Sequence, residues 1–266
     1  QGVRGQRHRL GPHRHRRPDK YDLANSTQAE MAVQAITSRD LSVQSVESKP
    51  AQRNPSAPFM TSTLQQEASR KFGMGARQTM SAAQRLYEAG HITYMRTDGI
   101  DMAPEAVMAT RDAIAARYGA DYVPSSPRMY KNKAKNAQEA HECIRPTEIT
   151  KDAAALKLTD ADQRKLYDLI WKRTIACQMA AAKLERTTVD ITSPDQQVVL
   201  RANGQVVLFD GFMRVYEEGR DDAQTGDDDD KRLPQVMQGE VLAKGDITPE
   251  QHFTQPPPRY TEATLV

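Results

Sequence analysis

The spacing of apolar residues predicts where the chain forms helices. Residues three or four positions apart share one face of a helix, and apolar residues recur at this spacing in four parts of the sequence. The predicted helices are residues 24–36, two within 61–90, one that begins at Pro104 and a long one over 160–183. Their predicted N-terminal caps are Asn25 or Ser26, Ser62 in a capping box with Gln65, and Thr159. Gly73 and Gly75 are predicted to end the first of the two helices within 61–90.

Alternation of apolar and polar residues predicts strands elsewhere. Residues 41–46 and 187–191 show the two-residue period of a half-buried strand. Residues 198–202 and 205–209 flank Asn203-Gly204, a dipeptide typical of a type I′ turn, so this region is predicted to be a β-hairpin. Residues 49–58 hold three prolines and are predicted to be a linker.

One further predicted strand, within residues 91–99, carries reactive side chains. Alternation would place Tyr94, Arg96 and Asp98 on one face. A tyrosine hydroxyl with a pKa of about 10 is a poor nucleophile at neutral pH. A nearby cation favours the phenolate, and the forked guanidinium can hold a phosphate against it. The alternative is a half-buried tyrosine whose neighbour Arg96 forms an ion pair with Asp98, and for an isolated Tyr-x-Arg we favour this alternative.

Composition indicates a polar chain of one or two domains. Its mean hydropathy is −0.73 over 266 residues, and no apolar run approaches the roughly eighteen residues that a membrane helix needs. Residues 1–18 are basic, but no apolar segment follows them, so no signal peptide is expected. Cys143 and Cys177 lack C-x-x-C spacing, which predicts neither a disulfide framework nor a zinc site and fits a reducing cytoplasm.

Positive charge is concentrated in two parts of the chain. Residues 1–18 contain six arginines and no acidic residue, and residues 52–145 contain thirteen Lys and Arg against nine Asp and Glu. A polar loop in the second part carries Arg128, Lys131, Lys133 and Lys135. These cations suit a phosphate backbone, although each single lysine is equally well explained by solvation. The acidic run 227–230 is predicted to lie in a solvated loop.

Four sequence blocks in order carry a resemblance to a known family. They are S-T-L-Q-Q-x-A at 62–68, A-Q-x-L-Y-E at 83–88, I-T-Y-M-R-T-D at 92–98 and A-H-E-x-I-R-P-T at 140–147. This order strongly resembles bacterial DNA topoisomerase I, of the type IA class. The resemblance weakens outside these blocks but continues to the C-terminus.

The resemblance implies an α+β multidomain fold in which a helical, winged-helix-like tyrosine domain is inserted in a β-rich arch domain. Residues 19–57 would form the first part of the arch, 58–183 the tyrosine domain, 184–247 the second part of the arch, and 248–266 the start of the ring base. Residues 1–18 do not resemble the β-rich segment of the family. A nucleic-acid-binding arm and a disordered tail are possible explanations, and we favour a frame-shifted or wrongly started reading.

The resemblance also implies a chemistry. Type IA enzymes relax negatively supercoiled DNA without ATP, by single-strand cleavage through a 5′-phosphotyrosine, strand passage and religation. Tyr94 matches the nucleophile, Arg96 the arginine that steadies the phosphate, and His141 a histidine near the nucleotide that precedes the break. The further DNA contacts expected are Arg145, Lys131, Lys133 and Gln65. The expected partner is single-stranded or underwound DNA, and we expect a cytoplasmic monomer that does not bind membranes.

The family's metal chemistry is expected to lie outside this chain. Full-length members use Mg²⁺ in an acidic domain that also supplies a general-acid glutamate and a phosphate-binding lysine, and it precedes this segment. No D-x-D occurs here in a suitable strand context, so no metal ligand is predicted and the chain alone is expected to be inactive. The following G-R-P-S-T-Y block is also missing, and Gly99 replaces the serine found in many members.

Two other functions remain open. The same helices could form a non-catalytic, winged-helix-like DNA-binding module, since a fold alone does not fix a function. A tyrosine recombinase is a more distant alternative, because it would need several basic residues around the tyrosine in a different order. Only a strand-cleaving enzyme would leave labelled DNA bonded to the protein.

Overall fold

The computed structural model describes residues 7–8, 23–131, 142–219, 233–251, 253 and 259–265. Two compact units are present. The first, here called the sheet unit, comprises residues 1–51, 184–208 and 226–257, and the second, the helical unit, comprises 52–183, 209–225 and 258–266. Helices together with an antiparallel sheet make this an α+β fold. The predicted domain boundaries, and the insertion of a tyrosine domain in an arch, stay predictions.

The sheet has the strand order β1-β4-β3-β2-β5. These strands are β1 Arg7–His8, β2 Leu41–Arg53, β3 Ala182–Thr192, β4 Val198–Phe209 and β5 Val241–Leu242. The pairs β1–β4 and β2–β5 are antiparallel. Helix α1, Ser26–Thr37, is capped by Asn25, whose Oδ1 accepts from the backbone N of Gln28 at 2.9 Å, as predicted. The buried core of the sheet unit consists of Ile36, Leu41, Val43, Val189, Ile191, Val198 and Leu200.

The predicted hairpin at Asn203-Gly204 is wrong, because β4 runs through both residues. The turn lies instead at 193–197, between β3 and β4. There Asp195 Oδ1 accepts from the Ser193 hydroxyl and from the backbone N of Gln197 at 3.1 Å, and Gln196 takes a left-handed φ of 56°. The Asp195 side chain thus supplies the turn's hydrogen bonds, and aspartate is favoured in turns for this reason. Since this turn already reverses the chain, the Asn-Gly pair is left within a strand.

The helical unit is arranged around its longest helix. Its helices are α2 Thr61–Phe72, α3 Ala76–Glu88, α4 Pro104–Tyr118, α5 Ala153–Leu156, α6 Ala161–Gln178 and α7 Glu262–Leu265, with 3₁₀ turns at Ala120–Tyr122 and Gly211–Arg214. Helix α6 packs against α2, α3, α4 and α5. The lone Trp171 is buried on α6 and donates its indole N–H to the Ile149 carbonyl at 2.8 Å, as expected for a packing residue.

Several predicted helix ends shift in the structure. Asp160, not Thr159, caps α6, and its Oδ1 accepts from the backbone N of Gln163 at 2.8 Å. Helix α6 also ends at Gln178, because β3 begins a few residues later. The capping box of Ser62 with Gln65 is not formed. The N-cap of α2 is Met60, two residues before Ser62, and the Thr63 hydroxyl accepts from the backbone N of Met60 at 3.1 Å.

Other predicted boundaries are confirmed, with one exception. Gly73 ends α2 in a left-handed conformation with φ 66°, and Pro104 opens α4 at its first position. The predicted linker over 49–58 is partly wrong, because β2 continues to Arg53.

Candidate functional site

Exposed and buried side chains alternate along the segment around Tyr94, but the segment is not a strand. Its only bridge within the described residues pairs Ile92 with Pro146. The side chains of Tyr94, Arg96 and Asp98 are nevertheless exposed, with Tyr94 at 43%, while Met95 between them is buried at 1%. Exposed and buried side chains therefore alternate as a strand would have it, but the predicted strand itself is wrong. A common face for Tyr94, Arg96 and Asp98 stays a prediction. Some backbone groups of the segment bond a side chain rather than a neighbouring strand.

Thr61, the first residue of α2, supplies the partners on one side. Its hydroxyl lies 2.8 Å from the Met95 carbonyl and 3.0 Å from the Thr97 carbonyl, to which it donates. The same oxygen accepts from the Thr97 backbone N at 2.9 Å, and the Thr61 backbone N donates to the Thr97 carbonyl at 2.9 Å. One threonine therefore holds the backbone on both sides of Arg96.

Thr93, a residue of the segment itself, joins it to another part of the chain. Its hydroxyl donates to the Cys143 carbonyl at 2.7 Å and accepts from the Arg145 backbone N at 2.9 Å. The Thr93 backbone N donates in turn to the Arg145 carbonyl at 2.9 Å. The residue before Tyr94 is thereby fixed to the I-R-P-T block, which joins two sequence motifs that lie far apart in the chain.

Tyr94 and Arg96 lie on this fixed backbone with few contacts of their own. The Tyr94 ring meets the ring of Tyr87 on α3 edge to face, with centroids 5.3 Å apart and an interplanar angle of 64°. Among the ion pairs of the described residues there is none between Arg96 and Asp98. The alternative in which Arg96 serves only to pair with Asp98 is therefore not observed. An exposed phenol and an exposed guanidinium two residues apart can approach one phosphate.

The other predicted site residues differ in their surroundings. Gln65 is half-buried on α2, and Lys131 is exposed. Arg145 forms a two-point ion pair with Glu142, with Nε–Oε1 and Nη2–Oε2 distances of 2.6 and 3.0 Å. Glu142 Oε1 also accepts from the Ala103 backbone N at 2.9 Å, next to the start of α4. His141 and Lys133 lie outside the described residues.

A buried polar cluster behind α2 was not predicted from the sequence. Glu67, 2% exposed, accepts from the Tyr216 hydroxyl at 2.8 Å and from the Gly219 backbone N at 3.0 Å. Burial raises the pKa of Tyr216. The guanidinium of Arg173 lies over the rings of Phe59 and Tyr216, 4.8 and 5.1 Å from their centroids. The one sequence signal for this cluster was a glutamate on the apolar side of α2, three residues after Leu64.

The two cysteines are buried, and burial raises the pKa of both thiols, that of Cys177 to about 12. Both thiols are therefore neutral at physiological pH. In the described ranges, no group of three or more His, Cys, Asp or Glu side chains is placed to hold a metal ion. None of the helices in the part of the chain that the structure describes is long and apolar enough to cross a membrane.

A comparison with protein-family models identifies the class of protein. The family model described as DNA topoisomerase matches residues 5–266, so the chain belongs to the DNA topoisomerase family. The particular resemblance to bacterial DNA topoisomerase I of type IA, predicted from the four blocks, is confirmed by the relatives that follow. The match begins at residue 5, inside the basic segment for which the sequence suggested a frame shift.

Three of the similar proteins, all longer than this chain, show how much of the family's length it spans. DNA topoisomerase 1 of Zymomonas mobilis is 54% identical over 252 residues, which cover 93% of this chain and 20% of that protein. DNA topoisomerase 1 of Rickettsia felis is 45% identical over 257 residues, or 93% of this chain and 33% of that protein. The full-length topoisomerase I structure from Thermotoga maritima gives a TM-score of 0.65 at 31% identity, covering 80% of this chain and 34% of that one. The chain thus spans between a fifth and a third of these curated relatives.

Proposed function

We propose that this chain is the part of a type IA DNA topoisomerase that carries the nucleophile. Tyr94 attacks a phosphodiester of single-stranded or underwound DNA, another strand passes through the break, and the break is resealed. Negatively supercoiled DNA is thereby relaxed without ATP. The observation that carries the proposal is the exposure of Tyr94 and Arg96 together on a backbone that Thr61 and Thr93 hold in place.

The proposed cleavage step exchanges one ester for another. The Tyr94 oxygen forms a bond to phosphorus and loses its proton, while the bond from phosphorus to the 3′ oxygen breaks. The 5′-phosphate stays on the tyrosine, and the leaving 3′ oxygen takes up a proton to become a hydroxyl. Religation is the reverse, and the phosphotyrosine conserves the bond energy in between. Arg96 holds two oxygens of the phosphate and stabilises the charge that grows on them.

The remaining predicted contacts surround this step. Exposed Lys131 and half-buried Gln65 are proposed to contact the DNA. His141 and Lys133 keep their proposed roles on the match of the sequence blocks alone. Arg145 is paired with Glu142 and also donates to the Pro146 carbonyl, so only the N–H groups of its guanidinium that these bonds leave over could contact DNA. The clearer role of Arg145 is to stabilise, through Glu142, the structure beside the site.

The general acid and Mg²⁺ are proposed to belong to parts of the full-length protein outside this chain. Residues 58–183 are proposed as its tyrosine domain, 19–57 and 184–247 as its arch, and 248–266 as the start of the ring base. We propose a monomer that acts in the cytoplasm. The chain alone should be inactive, because we place the acid that protonates the leaving 3′ oxygen in another part of the full-length protein.

The test is to replace Tyr94 with Phe in the full-length protein. The loss of one exposed hydroxyl should leave folding and single-strand binding nearly unchanged but abolish the covalent adduct. Labelled single-stranded DNA is incubated with each variant, and the bonded label is read by denaturing electrophoresis. Tyr87→Phe, which removes the hydroxyl of the neighbouring ring, should retain the adduct. Relaxation of supercoiled DNA by the Tyr94→Phe variant would show that Tyr94 is not the nucleophile.

The alternative function, a non-catalytic DNA-binding module, is tested against the proposed one with residues 1–266 alone. We expect weak single-strand binding that falls as salt rises, because a few cations release a few counterions. A chain beginning at Asp19 is measured alongside, since the six arginines of residues 1–18 could bind DNA by themselves. Loss of all binding in the shorter chain would contradict a DNA surface around Tyr94, and relaxation by residues 1–266 would contradict the need for other parts.

A further inference from the structure

A single side chain determines the backbone path on both sides of Arg96. The Thr61 hydroxyl reaches the carbonyls of Met95 and Thr97 and accepts from the Thr97 N–H, all within 3.0 Å. These are bonds that a neighbouring strand would make, but here they come from the first turn of a helix. Thr61 therefore ties the segment to α2.

Water is poorly placed to replace this hydroxyl. The residues that it holds, Met95 and Thr97, are 1% and 6% exposed. A backbone N–H or carbonyl that loses its partner in such a place costs about 1–3 kcal/mol. Valine has the shape of threonine but neither donates nor accepts, whereas serine does both. Replacement by valine should make the backbone around Arg96 move until its polar groups find other partners.

The helix that carries Thr61 is itself firmly anchored. Leu64 and Ala68 on α2 are fully buried. Glu67, also on α2, accepts hydrogen bonds from the Tyr216 hydroxyl and the Gly219 backbone N. Thr61 therefore joins the exposed segment to a part of the helical unit that has little freedom to move.

We propose that Thr61 is a positioning residue for Arg96, an inference that depends on the proposed function. Its hydroxyl fixes the backbone at positions 95 and 97, and this determines how far the guanidinium lies from the Tyr94 hydroxyl. Because Arg96 must grip two phosphate oxygens while the tyrosine attacks, a displacement of about 1 Å is enough to slow the reaction on the order of a hundredfold.

The test is a double-mutant cycle in the full-length protein. Thr61→Val and Arg96→Ala are made singly and together, and the single-turnover cleavage of labelled single-stranded DNA is measured. We expect Thr61→Val to slow cleavage about tenfold or more, and Thr61→Ser to stay close to the unmodified rate. In the Arg96→Ala background, Thr61→Val should cause no further loss, because the side chain that it positions is absent.

A matched control separates positioning from stability. Thr174, 1% exposed on α6, donates its hydroxyl to the Ile170 carbonyl of the same helix at 2.9 Å. Thr174→Val should lower the free energy of unfolding without changing the cleavage rate. Thr61→Val should lower that free energy equally with and without Arg96.

Two outcomes would overturn the inference. One is an unchanged cleavage rate in Thr61→Val, and the other is an equal loss in both Arg96 backgrounds. If Thr61→Val does not fold, Thr61→Ala replaces it in the same cycle. An adduct in the Tyr94→Phe variant would instead overturn the proposed function, so the two failures are distinguishable.

Discussion

Residues 92–99 and strand β4 both alternate in sequence, but their backbones are satisfied in different ways. In β4, the neighbouring strands β1 and β3 supply the partners. In 92–99, the Thr61 hydroxyl bonds backbone groups of Met95 and Thr97. The Thr93 hydroxyl instead bonds the backbone of Cys143 and Arg145, and so attaches the segment to the I-R-P-T block. Alternation therefore predicts which side chains are exposed, but it does not predict what the backbone bonds to.

The side chains of the two regions also have different roles. In β4 the alternate side chains Val198 and Leu200 are buried in the sheet core, so the strand contributes mainly to stability. In 92–99 the buried residues Ile92 and Met95 anchor the segment, and the exposed Tyr94 and Arg96 take little part in packing. Substitutions on the exposed face of 92–99 should thus change activity more than stability.

The largest effect is expected from Arg96→Lys. Lysine keeps the charge but cannot hold two phosphate oxygens in a fork. We expect cleavage and religation in the full-length protein to slow by about tenfold or more, with almost no change in the free energy of unfolding. Turnover on supercoiled plasmid is the measurement. Arg85→Lys, at an exposed arginine 3.5 Å from Asp160, is the control and should change little. Unchanged turnover in Arg96→Lys would show that the Arg96 fork has no role in the proposed reaction.

A smaller effect is expected when the same substitution is made in residues 92–99 and at a sheet threonine that bonds to β4. Thr93→Val removes a hydroxyl with two backbone partners and should lower the free energy of unfolding by about 1–2 kcal/mol. Thr188→Val in β3 removes an exposed bond to Asn203 of 3.1 Å, and it should change stability by less than about 0.5 kcal/mol because valine suits a strand. Urea unfolding is the measurement, with Trp171 fluorescence reporting the helical unit. Equal losses of unfolding free energy in Thr93→Val and Thr188→Val would contradict the proposed difference between residues 92–99 and the sheet.

The smallest effect is expected at the turn between β3 and β4. The Ser193 hydroxyl, Arg39 and the Gln197 backbone N lower the pKa of Asp195 to about 2. A lowered pKa means that the ionised Asp195 stabilises the folded state above about pH 4, the unfolded value, and that this contribution is lost as the pH falls through about 2. Asp195→Asn should therefore lower the melting temperature at pH 7, and the difference should vanish below about pH 2. A difference that persists there would show that the charge of Asp195 is not responsible.

Much of the fold follows from local signals in the sequence. Asn25, Gly73 and Pro104 each act on the few residues next to them, and the structure places all three as predicted. One wrong prediction involves competition between local signals. Asn203-Gly204 is a good turn pair, but Asp195 supplies a turn a few residues earlier.

The candidate site was predicted only in part, because its supports are distant in the sequence. Residues 61 and 97 are 36 positions apart, and Glu67 and Tyr216 are 149 apart. No periodicity relates such positions, so neither the hydroxyls that hold the Tyr94 segment nor the buried cluster could be inferred. The four blocks singled out Tyr94 and Arg96 by resemblance, whereas the physical reason for their setting required the structure.

The order of the strands bears on how the chain folds. Strands β2 and β3 are neighbours in the sheet, although residues 54–181 separate them in sequence. Closing a flexible loop of that length costs about 4 kcal/mol in entropy, and non-local pairing of this kind is slow. The contacts among α2, α3, α4 and α6 join elements closer in sequence, so we expect the helices to form first. In pulsed hydrogen exchange during refolding, amides of α3 and α6 should become protected before those that join β2 to β3.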